Sequence, residues 1–362
     1  MEKNEILVIY GNNPREMAGR LAEAAGLAEL IGSRERRIGL KPNLVVARPA
    51  CEGATTHPEI VRGIAEYLQK NGFHRLAVIE GAWVGARTKE AFSVCGYNAL
   101  AREMGLTLID TQDDQARPYD CRGMDIEICE SAREVDFMIN LPVMKGHCQT
   151  LLTCALKNNK GIIPNREKRR FHSLGLHKPI AHLNTVAKND FILVDGICGD
   201  LDFEEGGTPV PAGRMFAARD PVLCDAWAAS QMGYAPEEIP YIGLAEKLGV
   251  GCGDPAQARL RELNRSADGA PMPRPEGKAR QLALYIREER ACSACYAALV
   301  FALSRMKGNE LGRLRGPVSI GQGFAGKPGA LGIGRCTSRF AATLEGCPPS
   351  ASAILDFLRN QL

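Results

Sequence analysis

The chain has 362 residues, 45% apolar and 24% charged, with a net charge of +3. Such a length and balance suit a globular protein with a large core, most simply in two domains, and exclude a disordered or peptide-scale chain. The net charge is also too small for a dedicated nucleic-acid binder, so any basic cluster has to be argued locally.

The N-terminal part alternates short apolar runs with amphipathic stretches. Ile6 to Tyr10 reads as a strand, Pro14 to Ala28 as a helix and Arg37 to Val46 as a second strand. Thr55-Thr56-His57-Pro58 opens a helix that runs to Lys70, with Thr or His as the cap and Pro58 in the first turn. Leu76 to Glu80 is a buried-type strand, Arg87 to Met104 a helix stopped by Gly105, and Leu106 to Asp110 another strand. Val135 to Leu141 and Phe191 to Asp195 continue the series. This rhythm predicts an α/β fold, a mostly parallel sheet with helices on both faces, over residues 1–252. In such sheets ligands gather beyond the carboxyl ends of the strands.

One strand end leads into the densest polar stretch, Leu141 to Pro164. A helix is expected over Thr150 to Lys157, which places Lys145 and His147 in a strand-to-helix turn where backbone amides and ammonium groups favour an anion. Lys145, His147 and Lys157 are the candidate catalytic residues, and His147 is the one whose ordinary pKa suits proton transfer near neutrality. Lys41, Asn43, Asn158, His172 and Asp195 are the candidate ligand-binding residues. Lys168 to Arg170 reads either as a further set of cations for the pocket or as a solvated surface run. The acids Asp195, Asp200, Glu204, Glu205, Asp220 and Asp225 read as hard-oxygen metal ligands or as loop and helix caps, and their spacing matches no calcium loop.

From Cys252 to Gly277 the sequence turns polar and rich in Pro, Arg and Ala, and 253–277 is expected to be a linker. The remaining unit, 278–362, carries Cys292-Ser293-Ala294-Cys295, a glycine-rich run, Cys336 and Cys347-Pro348-Pro349, with helices expected at Tyr296 to Met306 and Ala351 to Leu362. Two cysteines three apart make a two-toothed clamp on one centre, and glycine lets backbone amides approach an anionic sulfur cluster. Cys292, Cys295, Cys336 and Cys347 are therefore read as ligands of a [4Fe-4S] cluster, with zinc as the alternative. Thirteen cysteines, and an N-terminus with no apolar run long enough for a signal peptide or membrane span, lead us to expect reduced thiols in a cytoplasmic protein.

Lys41-Pro42-Asn43, Thr56-His57-Pro58, Leu141 to His147, Thr153, Leu156-Lys157-Asn158, Gly161, Pro164, His172, Asp195-Gly196, Asp220 and Asp225 occur in order, and together they resemble the prokaryotic family of domain of unknown function 362 (DUF362) from about residue 38 to 250. Members of that family often carry iron-sulfur ligands in an attached segment, so the resemblance implies a cluster but no reaction. The leading expectation is an iron-sulfur redox protein that exchanges electrons with an anionic small molecule or a protein partner. The alternatives are a non-redox enzyme on a carboxylate or phosphate with a structural cluster, and a cluster-bearing sensor or nucleic-acid binder using Arg166 to Arg170 and Arg313 to Arg315. The absence of an aromatic RNA motif or a reading helix argues against the last.

Overall fold

The computed structural model describes residues 1–265 and 272–362. Its larger sheet has eight strands in the order Arg259–Glu262, Glu5–Tyr10, Pro209–Ala218, Phe191–Asp200, Phe137–Leu141, Ile38–Pro42, Leu76–Glu80 and Thr107–Asp110. Pro209–Ala218 runs antiparallel to both of its neighbours. Every other pairing is parallel, so the fold is α/β with a mainly parallel sheet.

Both faces of the sheet are covered, and the alternation of side chains along single strands shows it. Ile6 and Val8 enter one core with the helices Asn165–Leu174, His177–Leu183, Pro221–Gln231 and Pro240–Lys247. Leu7 and Ile9 enter the other, with Pro14–Ala24 and Pro58–Lys70. Two helices expected to be continuous are broken. Gly26 and Gly96 adopt φ of 63° and 82°, a left-handed turn that ends one helix and starts the next at Leu27 and Tyr97.

The strand-to-helix turn expected at Lys145 is replaced by a ribbon: Lys145–His147 pairs antiparallel with Leu151–Thr153. Helix follows only over Ala155–Asn158, continued by a 3-10 turn at Asn159–Ile162. The amides of Ala155 and Leu156 that open this helix donate to Asp225 at 2.7 and 3.2 Å, so its N-terminus is already capped. The expected linker is also partly structured, because Arg259–Glu262 within it adds a parallel edge strand to Glu5–Tyr10. Its residues 266–271 lie outside the described residues.

The C-terminal unit is built on a second, four-stranded sheet of Ile286–Glu288, Val318–Ile320, Gly329–Ile333 and Phe340–Leu344, parallel throughout. Part of the glycine-rich run thus forms strand rather than loop, and Gly329 and Gly332 leave room for Phe340 and Thr337 to lie against the backbone. Helices Ser293–Ser304 and Ala351–Arg359 pack on this sheet through Leu299, Leu303, Ile354 and Leu358. The unit docks on the α/β unit through Gln149, whose side-chain amide donates to Ala291 O (3.1 Å) and accepts from Ser293 Oγ (2.8 Å). Among the described residues, no helix is long and apolar enough to cross a membrane.

Candidate functional site

Strands Ile38–Pro42, Leu76–Glu80 and Phe137–Leu141 end at the same edge of the sheet, and a cavity of about 650 Å³, mouth included, opens there. Asn43, Lys145, His147, Lys157, Asn158 and His172 line it, together with Glu80, Trp83, Lys160, Lys168, Glu204 and, from the C-terminal unit, Cys292. Six of the eight non-cysteine residues singled out from the sequence therefore meet in one space.

Lys41 and Asp195 are the two that do not line it. Lys41 lies behind the wall, fully buried, with Nζ 2.6 Å from Glu80 Oε2 and bonded to Pro42 O at 2.8 Å. The other Glu80 oxygen accepts from Gly81 N at 2.7 Å, so the pair is closed on itself. A Cβ on Gly161 would stand 2.0 Å from Glu80 Oε1 and 2.6 Å from Lys41 Nζ, so only glycine lets the chain pass over the pair. Asp195 is not among the lining residues. Its Oδ2 accepts from the His57 backbone amide (2.9 Å) and sits 2.7 Å from His57 Nδ1, which holds the start of helix Pro58–Lys70. Burial lowers the affinity of His57 for a proton, but the Asp195 charge and hydrogen bond outweigh it and raise the pKa above its ordinary value. The histidine read as a helix cap is thus the partner of the aspartate read as a ligand group.

Lys145 is saturated. Its ammonium donates to Asn43 Oδ1 (3.2 Å), Glu204 O (2.8 Å) and Ala54 O, using all three N–H groups to fasten three segments around the cavity. Burial lowers its pKa to about 7, with Glu204 and Asp200 opposing the shift. His147 has a fixed tautomer: Nδ1 accepts from Gln149 N (3.0 Å) and Thr150 N (3.3 Å), so the ring proton resides on Nε2. Burial and the ammonium groups of Lys157 and Lys160 push its pKa well below the usual range, which keeps the ring neutral. Nε2 approaches Glu204 Oε1 to 3.3 Å without the alignment of a hydrogen bond. Among the described residues that oxygen, buried in the wall, has no hydrogen-bond donor, whereas Oε2 accepts from Cys148 N at 3.0 Å.

The remaining lysines are poorly partnered. Lys157 has one long bond, to Thr153 Oγ1 at 3.3 Å, and Lys160 has one, to His172 Nε2 at 3.5 Å. Lys168 donates to Gly81 O (3.0 Å) and Ala82 O (2.8 Å). Burial lowers Lys157 to about 7 and Lys168 to about 8, and lowers Lys160 far below its ordinary value with help from its two lysine neighbours. Lys168 is buried because helix Asn165–Leu174 turns Glu167, Lys168, Phe171 and His172 inward and its arginines outward. There Arg166 and Arg170 pair with Glu127 and Glu167. Glu80 was legible as a charged end of a buried-type strand beside that of Lys41. Glu204 was read only as a metal ligand or loop cap, and Lys160 carried no comparable signal.

Two other acids of the set are caps: Asp200 accepts from Asp202, Phe203 and Thr208 amides, and Asp220 from Val222, Leu223 and Cys252. Cys154, Cys224 and Asp225 bring three ligand-type atoms within 4.8 Å of one another, but all three are buried in the core and Asp225 is the helix cap described above.

The four C-terminal cysteines converge. Cys292 caps helix Ser293–Ser304, Cys295 lies in its first turn, Cys336 is in the 3-10 turn Arg335–Thr337 and Cys347 precedes the prolines. Arg335 N donates to Gly346 O at 2.9 Å, which ties the third loop to the fourth, and the Cys295 sulfur lies against Gly334. Burial pushes the Cys295 thiol up to about 12, and Cys292, Cys347 and Cys336 add to the shift as nearby negative charges. Among the described residues no three of these sulfurs lie mutually within 4.8 Å.

The chain resembles two known proteins at a distance. It is 24% identical over 235 residues to the thylakoid-associated protein sll1697 of Synechocystis sp., covering 62% of this chain and 70% of that one. The lactate racemase apoprotein from Thermoanaerobacterium thermosaccharolyticum superposes with a TM-score of 0.40 at 13% identity, over 60% of this chain and 55% of that one. Residues 38–230, more than half of the chain, match the family model described as "Domain of unknown function (DUF362)", and the protein accordingly belongs to the DUF362 family.

Proposed function

We propose that this chain is a cytoplasmic iron-sulfur redox protein, with a [4Fe-4S] cluster held by Cys292, Cys295, Cys336 and Cys347 and an anionic small molecule bound in the lysine-lined cavity. The observation that carries the reading is that Cys292 belongs both to the cysteine quartet and to the wall of the cavity that Lys157 and His172 also line. When bound, such a cluster supplies single electrons at a potential set by its charge, hydrogen bonds and exposure. The residues around it suit that task. The Gln322 amide points at Cys292 Sγ from 3.6 Å, and while burial, with Cys336 and Cys347, raises the pKa of this thiol, Arg169 and Lys160 oppose the shift. In the cavity the unfilled N–H groups of Lys157 and Lys160 bind and orient an anion, Lys145 keeps the three walls together, and His147 holds a proton on Nε2 beside Glu204.

Anaerobic purification followed by iron and sulfide analysis and electron paramagnetic resonance tests the proposal. The wild type should hold about four irons per chain and give a cluster signal after reduction, and Cys336→Ser should lose both. Zinc without iron in the wild type would overturn the assignment. A second reading keeps the cluster as a structural support for the wall made by Ser293 and Ala294, because the polar set of the cavity is complete without sulfur. Chemical removal of the cluster separates the two: activity that survives in a folded protein sinks the redox role.

A further inference from the structure

The charges around the cavity do not balance. Lys41 is matched by Glu80, and Glu204 opposes the burial of both Lys145 and Lys157 while lying within 4.0 Å of neither ammonium. Among the described residues no carboxylate comes within 4.0 Å of the ammonium groups of Lys157, Lys160 or Lys168. An ammonium has three N–H groups, yet Lys157 and Lys160 each have one acceptor and Lys168 has two. Buried cations in this state are expensive unless something of opposite charge joins them. On the same wall Glu204 presents the reverse defect, a buried carboxylate oxygen with no donor.

We propose that the cavity takes a compact oxyanion with at least two negative charges and one O–H group, clamped by Lys157, Lys160 and Lys168 and donating its O–H to Glu204 Oε1. Three ammonium groups without carboxylates call for more than one negative charge. One acceptor oxygen among them calls for a hydroxyl on the same ligand, since a carboxylate repels an oxyanion that has no proton to donate. Trp83, Val45 and Val84 on the remaining wall leave room for a short organic portion. Hydrogen phosphate, a phosphate monoester whose organic part carries a hydroxyl, and a hydroxy-dicarboxylate share this chemistry. The inference rests on the reading of the cavity as an anion site, and it deepens that reading without involving the cluster.

Isothermal titration of the full chain at constant ionic strength and pH 6.5 tests it with four probes: inorganic phosphate, its affinity expressed per hydrogen phosphate dianion, against sulfate, and hydroxysuccinate against succinate, with acetate as the monoanion control. The member of a pair that carries a hydroxyl should bind at least about tenfold tighter than its partner, and about tenfold tighter than acetate, which is the size expected of one hydrogen bond to a charged group. Binding in the first pair alone assigns a phosphate source, in the second pair alone a dicarboxylate source. Lys160→Gln, at the partly exposed edge of the cavity, should weaken the favoured probe about tenfold, and Glu204→Gln should shrink the discrimination within the pair to less than about threefold. Acetate binding as tightly as the dianions, or equal binding within both pairs, overturns the proposal. Iron analysis of the same samples keeps the two readings apart. Protein with iron that binds no dianion loses only this inference, and protein without iron that binds phosphate loses only the redox role.

Discussion

The two walls of the cavity are held in different ways. On the sheet side Lys41, Lys145 and Lys168 come from strand ends or helix faces over large cores, and each ammonium is tied to backbone carbonyls. On the other side the cysteines sit in a helix cap, a 3-10 turn and a proline loop around a four-stranded sheet with a much smaller core. The first wall is therefore preorganised by folding, and on the reading proposed above a cluster would brace the second.

The largest expected effect tests that division directly. Cys295→Ser should reduce iron and sulfide to background and make the unit 278–362 readily cleaved by protease, while the α/β unit stays intact. Full iron content in this variant would show that the quartet does not act as a set. On the sheet side Lys41→Met strands Glu80 as a buried, uncompensated charge and should cost about 3–5 kcal/mol, read from the urea midpoint. A cost near zero would mean that water reaches the pair.

The buried lysines give a pH dependence of the next size. Lys145 and Lys157 have folded pKa values of about 7 against an ordinary 10.5, so between those limits the unfolded chain binds more protons and stability rises with pH. The ligand-free protein should gain on the order of 2–4 kcal/mol from pH 7 to pH 10, and a bound dianion should flatten the curve. The His57–Asp195 pair runs the other way, since its raised pKa gives stability at low pH that is lost as pH climbs above 6.5. A thermal melt that falls steadily over pH 7–10 without ligand contradicts the lysine assignment.

Smaller again is Gly161→Ala, whose methyl must push against Glu80 and Lys41 and should cost about 1–3 kcal/mol by chemical denaturation. Gln149→Ala removes both side-chain bonds to Ala291 and Ser293, and about 1–2 kcal/mol is expected, seen as faster hydrogen exchange in the C-terminal unit and unchanged exchange in the large sheet. Equal loosening of both units would contradict the division between the walls.

The α/β class and most strands were legible in the chain, because short apolar runs such as Leu76 to Glu80 and Phe137 to Leu141 are buried on both faces and need no context to be recognised. The strand-end rule likewise pointed to Asn43 and Lys145. The ribbon at Lys145–His147 was not legible, since its turn is closed by the His147 ring and its N-terminal helix amides are capped by Asp225, seventy residues away from Ala155. Nor was the fate of Asp195, or the burial of Lys160 and Lys168 beside Cys292. Periodicity and turn chemistry are local and so can be read along the chain, whereas the pairing of a buried charge is settled by whichever distant group folding brings within a few ångströms of it.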